Sequence, residues 1–386
     1  MEKLLNFVGD IAKILLTNGA ETYRVEETVS YITKHYTSKK GESIISPTTI
    51  ICGVEGIKGG VIKRIDTRVI NLTKVNLAIN LSRKIIKENL TLEQAREELT
   101  EIENLKNHSN ISLNIVSAIG CAAFAFLLGG NFLDSAIAFI NAFFLYILLK
   151  SLINLKTNVF FRTLVGGIFS SLSSVLFSFA FYINVDAVII STIMLLVPGV
   201  ALTNAFRDIL EGHYIAGNSR LMEAIFIAFC LSLGVYLPIS FIQFTSASFF
   251  YSVPILRILA AFISSTCFAY IFGSPKKELL FAGFAGLIGW IVLETSGAIF
   301  LASATVSIFS ILASKKRKAI SSIYLIAGII PYVPGAGIYR TILSLVLNNP
   351  QNALAEGILA FGAAGSIALG IMVTYSIYNS IKKTSK

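Results

Sequence analysis

The chain has 386 residues, of which 54% are hydrophobic and only 14% are charged, whereas soluble domains carry about 25% charged residues. This composition and a mean hydropathy of +0.73 exclude an ordinary soluble enzyme. The net charge of +10 does not indicate nucleic-acid binding, because most of the excess basic residues lie on short connectors between apolar segments, where membrane topology favours them.

Charge is distributed unevenly and divides the chain into two regions. Residues 1–110 hold 16 Lys and Arg and 14 Asp and Glu, while the rest of the chain holds 16 and 8. We therefore predict a polytopic α-helical membrane protein with a small α+β domain at 1–110, followed by two five-helix modules at 111–245 and 246–386. The N-terminus lacks the apolar stretch and cleavage site of a secretory signal, so the first domain is expected to be cytoplasmic.

The first domain is predicted to contain four helices and two strands. An amphipathic helix ends at Asn18-Gly19, and a second helix covers about Ala20 to Tyr36. Between Ser43 and Val69, β-branched runs on either side of a glycine-rich segment predict two strands around a turn. Helical spacing then returns, and Thr91 with Gln94 forms a capping-box signature at the start of the last helix.

Ten apolar stretches follow, each near the roughly 20 residues that a membrane helix needs. The seventh and eighth also fit a re-entrant pair, so their interpretation stays open. The ten stretches centre on 111–128, 132–149, 163–183, 186–205, 221–240, 250–272, 278–293, 295–313, 319–343 and 354–379.

Basic residues alternate between the connectors. They follow spans two, four, six and eight, and the connectors after the odd-numbered spans carry no Lys or Arg. Because positive residues are retained on the cytoplasmic side, we predict ten membrane spans with both termini cytoplasmic. The basic connector residues are Lys150, Lys156, Arg162, Arg207, Arg220, Lys276, Lys277, Lys315, Lys316, Arg317 and Lys318.

Two Pro-Gly pairs lie at corresponding positions of the two predicted halves. Pro198-Gly199 lies late in the fourth span, and Pro334-Gly335 lies late in the ninth. Five spans per half would insert the second half in the opposite sense, and interrupted helices at matching positions mark transporter binding sites. We predict inverted repeats with two broken helices, against the simpler alternative of kinks near the membrane boundary. Polar residues after the breaks, the candidate substrate contacts, are Thr203, Asn204, Arg207, Asp208, Tyr339 and Arg340.

Arg257 and Arg340 are the cations farthest from the basic connectors. An unpaired charge inside a bilayer costs at least about 2.5–3.5 kcal/mol, so each arginine should face a cavity or a carboxylate. Three candidate partners lie near predicted outer helix ends and are expected to reach the interface: Asp134, Asp186 and Glu294. Two further candidate partners, Glu223 and Glu356, open the last span of each half. They are either ligands of an ion or ammonium group or carboxylates that stabilise a helix start.

The sequence predicts no cofactor and no metal site. Neither a phosphate-binding glycine motif nor a His/Cys ligand spacing is present, so transport is expected to use an ion gradient. The four cysteines form no CxxC pair and are interpreted as packing residues rather than a disulfide framework or a zinc site.

Four segments resemble the signature segments of the threonine/serine exporter family, in the form that fuses both membrane modules in one chain. They are LLTNGAETYRVEETV (15–29), RVINLTKVNLAINLSRKI (68–85), VPGVALTNAFRDILEGHYIAGNSRLMEA (197–224) and PYVPGAGIYRTI (331–342). The resemblance implies an inner-membrane secondary exporter of threonine and serine, driven by the proton motive force, with ten spans and a cytoplasmic N-terminal domain. Relatives of the split two-subunit form are associated with dicarboxylate export, so a succinate-like substrate is the alternative.

Without the resemblance, the residues indicate a secondary transporter of a small polar solute that works by alternating access. A membrane-anchored ligand-sensing regulator is the alternative from another class, and a membrane enzyme is disfavoured because no nucleophile, base or metal constellation is present. In the segment NGAETYRVEE, Glu21, Tyr23 and Arg24 are candidate gating residues, although a solvated helix start explains the same charges. The expected partners are the solute and the lipid bilayer, and assembly with further copies is left open.

Overall fold

Four helices and a three-stranded sheet precede the apolar helices in the computed structural model, which describes residues 1–106, 108–242 and 253–384. The predicted boundary between the two membrane modules, at 245/246, lies outside these residues. The elements of the N-terminal part are α1 (Glu2–Thr17), α2 (Thr22–Thr37), β1 (Gly41–Ser46), β2 (Thr49–Val54), β3 (Gly60–Arg64), α3 (Leu72–Glu88) and α4 (Leu92–Glu103).

The segment predicted as two strands forms three. β1 pairs antiparallel with β2, and β2 with β3, so that Ile51 lies opposite both Ile44 and Ile62. Pro47 and Thr48 make the two-residue turn between β1 and β2. The β-branched run at 43–52, before the glycine-rich segment, contains Pro47, which has no N–H for a strand ladder. This run therefore folds into a hairpin at Pro47 instead of one strand.

The predicted helix boundaries of this domain agree with the structure. Asn18 is the C-cap of α1, and the Thr91–Gln94 capping box at the start of α4 is complete in both directions. Val8, Ile11 and Leu15 on α1 are at most 1% exposed, which is the apolar face that their three- and four-residue spacing predicts.

Apolar helices make up the rest of the described chain. Eight are long and apolar enough to cross a membrane, and the number is nine when one pair bent by 43° counts as a single span. The helices are α5 (Asn110–Leu127), α6 (Phe132–Asn154), α7 (Val159–Ala180), α8 (Val185–Ile193), α9 (Gly199–Leu210), α10 (Tyr214–Phe241), α11 (Pro254–Ile271), α12 (Leu279–Ser296), α13 (Ile299–Arg317), α14 (Ser322–Ile329), α15 (Gly335–Val346) and α16 (Pro350–Thr384).

The difference from ten predicted spans lies in the fourth stretch. That stretch is divided between α8 and α9, and α8 with 9 residues is too short to cross a bilayer alone. The seventh and eighth stretches form α12 and α13, which with 18 and 19 residues are both of full length. This favours two separate spans there, and the total of ten stays a prediction.

The packing of α5–α10 recurs in α11–α16. α5 packs against α6 as α11 packs against α12, and α7 packs against α10 as α13 packs against α16. Two contacts cross between the sets in the same reciprocal way, because α9 packs against α16 and α15 packs against α10. The first helices of the two sets, α5 and α11, pack directly against each other.

The N-terminal domain is fastened to the membrane part through the start of α3. The backbone N–H of Leu72 donates to the Phe272 carbonyl at 2.9 Å. The Thr73 hydroxyl donates to the Gly273 carbonyl at 2.6 Å. These bonds join α3 to the end of α11, so the domain has a defined position on the helices.

Candidate functional site

Both predicted helix breaks are present, and they pack against each other. Pro198 and Pro334 are the N-cap residues of α9 and α15, with nearly identical non-helical ψ angles of 36° and 35°. A Cβ on Gly199 would lie 3.1 Å from the Gly335 Cα. We call these residues the Pro-Gly crossing, comprising Val197, Pro198, Gly199, Val333, Pro334 and Gly335.

Contacts at the Pro-Gly crossing are reciprocal. A Cβ on Gly199 would lie 2.7 Å from Val333 Cγ1, and a Cβ on Gly335 would overlap Val197 Cγ1. Each glycine therefore makes room for the valine that precedes the opposite proline. Only a residue without a side chain permits this approach of the two backbones.

One side of the Pro-Gly crossing holds a buried charged group around Arg207, near the end of α9. Its Nη1 lies 3.3 Å from Glu21 Oε1, and its Nε lies 3.0 Å from Glu211 Oε1. The guanidinium carbon is 5.0 Å from the ring centre of Tyr23 and 5.8 Å from that of Tyr375, within cation–π range. Arg207 is only 5% exposed, so the N-terminal domain and the helices enclose it.

Glu21 is the central carboxylate of this group and comes from the N-terminal domain. It accepts hydrogen bonds from Ser322 Oγ at 2.6 Å and from Arg24 Nε at 2.9 Å. Burial by itself would raise the pKa of Glu21, but Arg24, Arg207 and the Ser322 hydroxyl outweigh it and lower the pKa to about 2. Glu21 is therefore ionised at neutral pH. We call this group the Arg207 cluster, comprising Glu21, Tyr23, Arg24, Arg207, Glu211, Ser322 and Tyr375.

The predicted gating residues thus lie at a domain contact rather than on a solvated helix start. Glu21 is 4% exposed, and the Tyr23 hydroxyl accepts a hydrogen bond from Arg24 Nη2 at 2.8 Å. The charged start of α2 faces the membrane helices because its charges are satisfied there.

Other polar residues predicted after the first break are already engaged. The Thr203 hydroxyl donates to the Gly199 carbonyl of its own helix at 3.1 Å, and Asn204 is half-buried. Asp208 is 2% exposed and pairs with Arg220 at 3.1 Å. Of this predicted set, Arg207 forms an ion pair with the N-terminal domain, at Glu21.

A cavity of about 310 Å³ surrounds Arg340 on α15. Arg340 is exposed, and within the described chain it has no hydrogen bond and no ion pair. Asp186 and Glu356 line the same cavity and contribute two carboxylates opposite one guanidinium. We call this the Arg340 cavity, and its polar lining residues are Asp186, Tyr339, Arg340, Ser344, Asn352 and Glu356.

The two broken segments run antiparallel past each other. Arg207, near the end of α9, belongs to the same cluster as Ser322, at the start of α14. Conversely, Arg340 on α15 shares its cavity with Asp186, at the start of α8. The start of each broken segment thus lies beside the arginine-bearing end of the other.

Arg257 and Glu294 form an ion pair, with Nη1 and Oε1 2.8 Å apart. The guanidinium carbon of Arg257 also lies 5.0 Å from the Trp290 ring centre. Glu294, one of the candidate carboxylate partners, thus pairs with Arg257 rather than with Arg340.

Two further predicted partners have structural contacts. Asp134 is fully buried and accepts backbone N–H bonds from Asn131 at 2.8 Å and Asn184 at 2.9 Å, so the expectation that it reaches the interface is wrong. Glu223 accepts two hydrogen bonds from Arg68 at 2.6 and 2.7 Å. Glu223 thus ties the N-terminal domain to α10 and lies in neither the Arg207 cluster nor the Arg340 cavity.

The sequence reasoning missed three members of the Arg207 cluster. Glu211 lies four residues after Arg207, and that helical spacing was an available signal. Ser322 and Tyr375 lie in apolar helices without a motif around them, and only the packing of α14 and α16 brings them to Arg207.

Comparisons with known proteins cover most of the chain. A family model described as "Putative threonine/serine exporter" matches residues 6–242, and another described as "Threonine/Serine exporter, ThrE" matches 257–377. A "Threonine/serine exporter" of Corynebacterium glutamicum is 25% identical, covering 96% of this chain and 81% of the relative. A "Probable threonine/serine exporter" of Mycobacterium tuberculosis is 23% identical, covering 95% and 74%. No solved structure matches the chain.

Proposed function

This chain belongs to the threonine/serine exporter family, and we propose that it exports serine and threonine across the plasma membrane by alternating access. The predicted family is confirmed, and the apolar helices make the chain a multi-pass membrane protein. The observation that carries the proposal is the Pro-Gly crossing, with a closed arginine site on one side and an open arginine cavity on the other.

The two sets of six helices form an inverted repeat in this proposal, with each broken pair counted as one span. Its supports are the recurring helix pairs of α5–α10 and α11–α16, the reciprocal glycine–valine contacts and the antiparallel broken segments. An inverted repeat allows one half to rock against the other around a site between them. The Pro-Gly crossing is the place where both halves contribute the same three residues, so we assign the pivot to it.

The charges of the Arg340 cavity favour an amino acid over a dicarboxylate. One guanidinium suits one carboxylate, and Asp186 or Glu356 suits an ammonium group. A dicarboxylate would need a second cation, and the two acidic side chains would repel it. Serine and threonine also carry a hydroxyl, for which Ser344 and Asn352 in the same cavity are hydrogen-bond partners.

The direction of transport follows from the orientation predicted by the basic connectors. With both termini cytoplasmic, the Arg207 cluster lies on the cytoplasmic side and the Arg340 cavity on the outer side. The described arrangement is then closed inward and open outward, which is the state after substrate release. We propose that the proton motive force drives the return to the inward-open state.

The orientation has a direct test by cysteine labelling. Cysteine at Asn131 or Asn349 should react with a membrane-impermeant maleimide added outside intact cells, because both positions precede helices at the predicted outer ends. Cysteine at Lys156 or Lys316 should react only after the cells are opened. Both lysines are exposed, so a failure to label these positions from outside would be due to the membrane and not to burial within the protein. Reaction of Lys156 and Lys316 positions from outside would refute the orientation.

The function is tested by efflux from preloaded cells. Cells that make the protein should release labelled serine and threonine several-fold faster than cells without it, and a protonophore should abolish the difference. Labelled succinate, loaded in parallel, should leave both cells at equal rates. Faster succinate release would favour the dicarboxylate exporter, and no difference for any compound would favour the ligand-sensing regulator.

A further inference from the structure

The Arg207 cluster contains a complete binding site for a carboxylate, and the carboxylate in it belongs to the protein itself. Glu21 is bound by Arg207 from α9, by Ser322 from α14 and by Arg24 from its own helix. Hydrogen bonds from charged donors to a carboxylate are about twice as strong as neutral ones. The donors on α9 and α14 belong to the membrane part and would stay in place if α2 moved away.

We propose that Glu21 occupies the cytoplasmic binding site for the substrate carboxylate, so that the start of α2 is a gate which competes with serine and threonine for Arg207. The inference rests on the proposed function, and it adds a second substrate site and the means by which the N-terminal domain controls it. Substrate loading then requires that Glu21 leave Arg207.

The groups left behind by Glu21 match an α-amino acid. Arg207 Nη1 and the Ser322 hydroxyl would lose their carboxylate, and a buried charge without a full set of partners is costly. A substrate carboxylate restores both contacts. Glu211, 3.0 Å from Arg207 Nε, offers an acidic partner for the substrate ammonium group.

A cleft open to solvent lies beside this site. A cleft of about 790 Å³ lies between α2 and the sheet, and Tyr23, Ser30 and Ile44 are among its lining residues. The Tyr23 ring also lies 5.0 Å from the guanidinium carbon of Arg207. Tyr23 therefore separates the cleft from Arg207. Displacement of the start of α2 would connect the cleft with the space around Arg207.

The domain has a separate anchor that such a movement leaves intact. The start of α3 is bonded to the end of α11 through Leu72 and Thr73, and Asn76 Oδ1 accepts from the Ile320 N–H at 3.0 Å. The contacts of Glu21 and Tyr23 are on another helix. The gate can thus open while the domain stays attached through α3.

The test uses the full-length protein with a reporter cysteine at Ser322, which is 2% exposed when Glu21 is docked. In purified protein, E21Q should increase the maleimide labelling rate at this position several-fold without any ligand, because the neutral amide binds Arg207 less strongly. E55Q is the matched control, since Glu55 is an exposed glutamate of the same domain, and it should leave the rate unchanged. Equal rates in all three proteins would overturn the gate.

Competition is tested by calorimetry of serine binding to the unsubstituted, E21Q and E55Q proteins that all retain Ser322. If Glu21 is docked in nine of ten molecules, E21Q should lower the apparent Kd for serine about tenfold, and E55Q should not. In the E21Q reporter protein, bound serine should lower labelling at position 322, because its carboxylate would contact that position, while 2-amino-1,3-propanediol, which lacks the carboxylate, should not. Unchanged or weaker serine binding by folded E21Q would overturn the competition.

These readouts separate this inference from the exporter function. The gate is measured without substrate or transport, so increased E21Q labelling together with absent serine efflux would contradict the exporter and leave the gate standing. Normal serine efflux together with equal labelling in all proteins would support the exporter and overturn the gate.

Discussion

Replacing Arg340 with alanine is expected to reduce serine and threonine efflux by about 10- to 150-fold, the equivalent of one hydrogen-bonded charge contact of roughly 1.5–3 kcal/mol. Arg340 is exposed in its cavity and has no ion pair within the described chain, so its guanidinium is available to a ligand. Arg340→Lys should recover efflux poorly, because lysine lacks the planar pair of donors that binds both carboxylate oxygens.

The Arg340 measurement needs abundance alongside rate. Initial efflux rates should be divided by the amount of protein in the membrane, and R64A is the control, because Arg64 pairs with Asp66 on an exposed strand end. Arg340→Ala at normal abundance with undiminished efflux would make Arg340 an interfacial residue without a transport role. Low abundance of Arg340→Ala would instead indicate a structural contact.

Gly199→Ala and Gly335→Ala are each expected to lower the melting temperature and to abolish most export. A Cβ at either position would meet the valine of the opposite break, and at Gly199 also the Gly335 backbone at 3.1 Å. Overpacking of this kind costs about 1–3 kcal/mol. It also separates the two broken helices at the proposed pivot, so transport should fail even in the fraction that stays folded.

Gly362→Ala provides the matched control for both glycine variants. Gly362 lies within α16, and among the described residues a Cβ there would meet no atom within 4 Å other than those of its own stretch of helix. Alanine should therefore be neutral or slightly stabilising at this helical position. The three variants are compared by thermal melting of purified protein and by serine efflux. Equal behaviour of all three would refute the tight approach of the two breaks.

Local features of the sequence were predicted well because the residues that cause them are adjacent. The α1 C-cap at Asn18, the Thr91 capping box and both Pro-Gly breaks depend on residues within a few positions of each other. The prediction failed where one local signal hid another. The hairpin turn at Pro47 was overlooked because the β-branched residues on both sides of it resemble one strand.

Charge partners were harder to predict, since a carboxylate inside a membrane protein has several ways to be satisfied. Asp134 was expected to reach the interface, yet it is completely buried, and the backbone N–H groups of Asn131 and Asn184 donate hydrogen bonds to it. Glu294 pairs with Arg257 across 37 positions of sequence. Which of these outcomes applies depends on the neighbouring helix, and the residue's own segment does not specify that helix.

The sequence by itself determined the membrane character, the family and the two helix breaks, and it singled out Arg207, Arg340 and Glu21 as candidate site residues. These conclusions rest on composition, periodicity and short ordered segments, which are properties of the chain alone. Only the tertiary structure decided that Glu21 contacts Arg207 across 186 positions and Ser322 across 301, and that the two Pro-Gly breaks touch. Such contacts form because distant helices pack together, and the spacing of residues along one helix carries no information about which remote surface it meets.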